Sequence, residues 1–153
     1  MINKNWNVWI WASMIKHFNA YRENLPLYIE GQDRPKDKQS DFIEFRMDGP
    51  YLIQLDKTQY RADIELNILI TSCKNDKDDY KSERDIGIVT SMFHPTISIF
   101  KVGTPNSDGS LLSCFSLRDD KREKIVVSRF GIIEPTNRIM QATVEGHYTG
   151  VLE

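Results

Sequence analysis

Between residues 60 and 72 the chain alternates strictly between apolar and polar positions. Tyr60, Ala62, Ile64, Leu66, Ile68 and Ile70 share one parity. Arg61, Asp63, Glu65, Asn67 and Thr71 share the other, with Leu69 the one apolar intruder. Side chains alternate across a strand, so this pattern predicts one long β-strand with a buried and a wet face. A strand of about a dozen residues spans roughly 40 Å. Residues 138–149 form a second such run. Met140, Ala142, Val144, Gly146 and Tyr148 face one way, and Gln141, Thr143, Glu145 and His147 the other.

Two stretches follow a helical period instead. In residues 3–25, Trp6, Ile10, Trp11, Met14, Phe18, Tyr21 and Leu25 fall on one broad side, with Asn3 or Asn5 available as a cap. Trp9 projects away from that side. Three tryptophans within six residues make the first turns apolar nearly all round. That fits either a fully buried helix start or a contact made by Trp9 with another subunit. Pro26 ends this helix. In residues 80–93, Ile86, Val89 and Phe93 define a second helical face, and His94-Pro95 stops it.

Strands are further predicted for residues 42–47 and 51–55, broken by Asp48-Gly49-Pro50. Others fall around Ile97 and Ile99, over 111–117, and over 124–134, where the faces are mixed. A short apolar piece covers 27–30. The segments 31–40, 73–79, 103–110, 118–123 and 135–137 are polar or rich in turn residues and read as loops. The strand over 51–55 leads by a short polar turn into the long strand, which makes those two neighbours antiparallel. The order of helix, strands, helix, strands is that of an α+β protein. The expected architecture is a single domain over 1–153: a largely antiparallel, long-stranded sheet with both helices packed on one face.

Composition narrows the function. The chain has 153 residues, 40% hydrophobic and 27% charged, with a formal charge of −2. That is ordinary for a soluble domain and argues against gripping nucleic acid through a basic surface. No segment is long and apolar enough to cross a bilayer, and no signal peptide is expected from the first residues. Cys73 and Cys114, far apart in sequence, read as free thiols of a reducing compartment.

None of the candidate chemistry assembles into a catalytic, metal or cofactor site. Asp63 and Glu65 share a strand face and could do acid–base work, but beside Arg61 they read as a solvated face. Asn75, Asp76, Asp78 and Asp79 resemble a calcium loop only until the count reaches Tyr80 and Ile86, where a Gly and a Glu belong. His17, His94 and His147 lie on different elements, without metal-ligand spacing. Cys114 has no evident base, and no phosphate-binding glycine loop is present. An enzyme is the weaker expectation.

The succession EFRMDGPY, RADIELNILITS, SERDIGIVTSMF and RIMQATVEGHYTG resembles the tail terminator proteins of long-tailed bacteriophages. The resemblance covers most of the chain and rests on element order rather than a short motif. It implies a structural virion protein: a homo-oligomeric, hexameric ring in the neck. Such a ring caps the tail tube, meets the head–tail connector or stopper protein, and lets DNA pass without specific binding. In that frame Trp6 and Trp9 are the expected subunit interface, and Asp63 and Glu65 the expected acidic lining of the lumen, which would not hold DNA phosphates. A head-completion or stopper protein of the same neck is one alternative. A soluble α+β domain or enzyme with a small-molecule pocket is the other.

Overall fold

The computed structural model describes residues 1–30, 40–73, 80–118, 124–135 and 138–153. The segments 31–39, 74–79, 119–123 and 136–137, with the loops and the calcium-like run read there, lie outside them. The elements are α1 (Trp6–Tyr21), β1 (Leu27–Ile29), β2 (Phe42–Gln54), β3 (Tyr60–Cys73), α2 (Lys81–Met92), β4 (Thr96–Phe100), β5 (Leu111–Leu117), β6 (Ile125–Glu134) and β7 (Ile139–Leu152). The α+β class is therefore observed. Asn5 occupies the cap position of α1 but makes no side-chain capping bond. Asn3 Oδ1 instead accepts the Asn5 N–H at 2.9 Å.

The two long alternating runs are neighbours at the centre of the sheet. β3 and β7 pair antiparallel from Tyr60↔Leu152 to Cys73↔Ile139. This register sets Ala62, Ile64, Leu66, Ile68 and Ile70 beside Gly150, Tyr148, Gly146, Val144 and Ala142 on one face. All of these Ile, Leu, Val and Tyr side chains are buried. Each contributes about 1.5–3 kcal/mol of apolar burial, which fixes the register, because a one-residue slip would expose the whole set.

The sheet is mixed and curled, which corrects the largely antiparallel expectation. Its order is β1-β2-β3-β7-β5-β4, with β6 also on β7. β1 pairs parallel with β2, Leu27 opposite Ile43. The connection between them is long enough to return the chain to the same end of the sheet, which a tight turn cannot do. The far edge of β7 is shared: β6 takes its first half and β5 its second. The curl brings both sides of the sheet to α1. Trp11 and Phe18 lie against Phe45 of β2, with ring centroids 5.6 and 5.4 Å apart. On the other side Ser13 Oγ accepts the Phe100 N–H of β4 at 2.9 Å. Ile86, Val89 and Met92 of α2 join the same core as Ile10, Met14 and Phe18 of α1.

β2 is one strand where the sequence suggests two. Its pairing with β3 runs Asp48↔Glu65 and then Tyr51↔Asp63, so three steps on β2 match two on β3. This is a β-bulge, and an extra residue inverts the facing of the strand beyond it. Gly49 at the bulge has φ +96, and a Cβ there would lie 2.8 Å from the Asp63 carbonyl oxygen. Glycine fits both constraints. Beyond the bulge Tyr51 and Ile53 emerge on the outer face and are exposed.

Candidate functional site

The outer face of β2, β3 and β7 is built in rows across the three strands. Ile53, Arg61 and Val151 form one row, Tyr51, Asp63 and Thr149 the next, and Asp48, Glu65 and His147 a third. The pleat sends the polar parity of β3 to this side, and the bulge adds the two apolar residues of β2. Asp63 Oδ1 accepts the Thr149 hydroxyl at 2.6 Å, and Asp63 Oδ2 lies 3.3 Å from Arg61 Nη2. Glu65 Oε1 is 3.9 Å from His147 Nδ1. One row further, Asn67 Nδ2 donates to Glu145 Oε1 at 2.8 Å.

These rows form the floor of an open groove of about 660 Å³, lined by Tyr51, Arg61, Asp63, Glu65, Arg118 and His147 among others. The two guanidiniums, Arg61 and Arg118, balance the two carboxylates, Asp63 and Glu65. Asp63 and Glu65 thus do share one surface, as their spacing predicts. The groove lining is therefore charge-balanced, with Asp48 and Glu145 as further acids on the rows beside it. The sequence gives no sign of Tyr51 or Arg118 in this groove, because the first needs the bulge and the second comes from the end of β5.

A second exposed feature is β6. It pairs only with β7, and its other edge has no strand partner among the described residues. Phe130 is 57% exposed, and Val126, Ile132 and Ile133 are also open to solvent. The mixed facing of residues 124–134 was the sequence signal: apolar side chains on both parities cannot all turn inward from an edge strand. Arg129 of β6 is held by Glu83 of α2 through two bonds of 2.9 Å. This fork holds the guanidinium above, and the Glu83 carboxyl below, their ordinary pKa ranges.

The tryptophans do not form a surface, which corrects the expected interface of Trp6 and Trp9. Trp6 is 1% and Trp9 8% exposed. Trp9 does not project away: its Nε1–H donates to Thr104 Oγ1 at 2.9 Å, and Lys101 Nζ stands 5.7 Å from its ring. The loop that follows β4 covers the side of α1 that periodicity leaves open. Trp6 packs edge-on to Tyr60, and its indole N–H has no partner among the described residues.

The histidines partly converge. His17 of α1 and His94 after α2 have ring centroids 4.6 Å apart, with Tyr21 4.4 Å from His94. His17 Nε2 lies 2.9 Å from the Met92 carbonyl oxygen, which fixes it as the protonated nitrogen. Burial first, and the neighbouring His94 last, lower the His17 pKa, and the Met92 bond opposes them. His147 lies instead in the groove. Among the described residues no three His, Cys, Asp or Glu side chains could hold a metal ion. Cys73 is buried, Cys114 is exposed, and neither is in a disulfide. No described helix is long and apolar enough to cross a membrane.

Comparison with protein-family models and with curated proteins finds no match. Among solved structures, one whose name carries no functional word is similar over 94% of this chain and 94% of its own, with a TM-score of 0.58 at 12% identity. At that identity the likeness is one of fold alone.

Proposed function

We propose that the protein is a non-enzymatic neck subunit of a bacteriophage virion, of the tail terminator kind. Copies of it close into a ring that caps the tail tube, meets the head–tail connector and lets DNA pass. The observation that carries the reading is the exposed apolar edge of β6. Phe130, Ile132 and Ile133, exposed on a strand with one edge open among the described residues, are a liability for a solitary monomer, and covering them by a neighbouring copy removes it. A ring needs one surface to meet a different surface with a rotation that closes. The exposed Ile53 and Leu55, beside the β2–β3 turn and outside the groove lining, give the chain a second apolar patch, distinct from β6. The element order that resembles the tail terminators supports the same reading.

The outer groove suits the wall of the passage. Its balanced charges, with Asp63 held by Arg61, present DNA with neither a basic grip nor strong repulsion. Native mass spectrometry across a range of concentrations tests the proposal. Rings of one stoichiometry are expected, and added tail tube should favour them. A monodisperse monomer throughout, unmoved by tail tube, would sink it.

A further inference from the structure

A buried polar cluster joins three elements at the end of the sheet opposite the β2–β3 turn. Asp41, just before β2, is buried, and so is Asp85 in α2. Asp41 Oδ1 accepts the Cys73 N–H at 2.8 Å and lies 3.1 Å from Lys81 Nζ. The Lys81 ammonium also donates to the Cys73 carbonyl oxygen at 3.0 Å. Ser72 Oγ donates to Asp85 Oδ2 at 2.7 Å, so adjacent residues of β3 hold the two buried acids, and Lys81 lies one helical turn before Asp85. Two buried carboxyls beside a single ammonium favour a proton on one of them.

We propose that Asp41, Asp85 and Lys81 form a proton-controlled latch fastening the first turns of α2 to the ends of β2 and β3. With the proton in place, the cluster holds one carboxylate, one ammonium and one neutral carboxyl. Asp41 takes the Lys81 and Cys73 donors and is the carboxylate. Asp85 takes the Ser72 hydroxyl and is the carboxyl that keeps the proton. Loss of that proton leaves two buried carboxylates facing one ammonium, and the excess charge has no solvent to spread into. Burial first, then the neighbouring Asp41 carboxyl, push Asp85 up to about 7, so the latch works near neutrality.

The surrounding elements, among the described residues, place no further free charge on Asp85. β3 contributes Ser72 and the Cys73 thiol. β7 contributes Met140 and Ile139 opposite those two residues. Glu83, the nearest acid on α2, is engaged by Arg129 of β6. Relief comes by moving the element that carries both Lys81 and Asp85. The first turns of α2 therefore loosen as the proton leaves, while the β3–β7 centre stays paired.

Backbone amide exchange of the full chain, corrected for the intrinsic effect of pH, tests this. Protection of amides in the first half of α2 should fall about tenfold or more between about pH 6 and pH 8.5. Protection in β3 should not change, and Asp85→Asn should abolish the fall. Equal α2 protection at both pH values, or the same fall in the Asp85→Asn variant, overturns the latch. If that variant does not fold, the Asp85 carboxyl carbon is titrated by NMR in the unaltered protein. A midpoint near neutrality supports the latch, and one at the ordinary carboxylate value overturns it.

Discussion

The Phe93 ring at the end of α2 lies directly over Gly146 of β7. A Cβ on Gly146 would stand 2.7 Å from Phe93 Cδ1 and 3.1 Å from Leu117 Cδ1. The absence of a side chain at this point lets α2 settle onto the sheet, with Phe93 also against Phe18 of α1. Gly146→Ala should therefore destabilise the fold by about 1–3 kcal/mol through overpacking. Urea denaturation measures it. Combining the change with Phe93→Leu should recover part of the loss, and a simple sum of the two effects would contradict the contact.

Trp9 and Thr104 should be coupled. Their hydrogen bond joins residues 95 positions apart and anchors the loop after β4 to α1. Removing either partner should cost about 1 kcal/mol beyond lost packing. A double-mutant cycle of Trp9→Phe and Thr104→Val should return a coupling of about that size. A coupling near zero would mean that Trp9 is held by burial alone.

Stability should decline as pH rises through neutrality. Asp85 stands at about 7 in the fold, by burial and then the neighbouring Asp41 carboxyl, against an ordinary value of 3.8. Between those values the folded chain binds more protons than the unfolded chain, so unfolding free energy falls with increasing pH. His17 acts in the opposite sense. Burial lowers its pKa below 6.5, so its contribution is complete above that value and is lost as pH falls. Above about pH 6.5 only the Asp85 slope is left of these two. The urea midpoint should drop from there to about pH 8, and Asp85→Asn should flatten the drop. A midpoint that rises over the same interval would be the contrary result.

Assembly should depend on β6 and not on the tryptophans. Phe130→Asp with Ile133→Asp places two charges on exposed positions, so the monomer should keep its stability within roughly 0.5 kcal/mol per change. Oligomers seen by sedimentation velocity should disappear. Rings that persist in this variant would locate the subunit contact elsewhere.

Local pattern was enough to place most elements. The alternation over residues 60–72 and 138–149 and the helical spacing around Met14 and Val89 come from side chains a few positions apart. They arise from backbone geometry whatever the rest of the chain does. The wet parity of β3, with Asp63 and Glu65 side by side, was legible for the same reason. What a strand pairs with, and what covers a face, is decided by residues far away in sequence. The parallel seat of β1 beside β2 and the curl of the sheet around α1 needed the whole chain. So did the bulge at Gly49, which turns Tyr51 outward, and the loop that buries Trp9. Asp41 and Asp85 look like two unrelated surface acids until β2, β3 and α2 meet and shut water out. Periodicity thus fixed which residues share a face. Only the tertiary packing decided what covers each face, and with that where charge balances, where it is trapped, and where apolar surface remains for a partner.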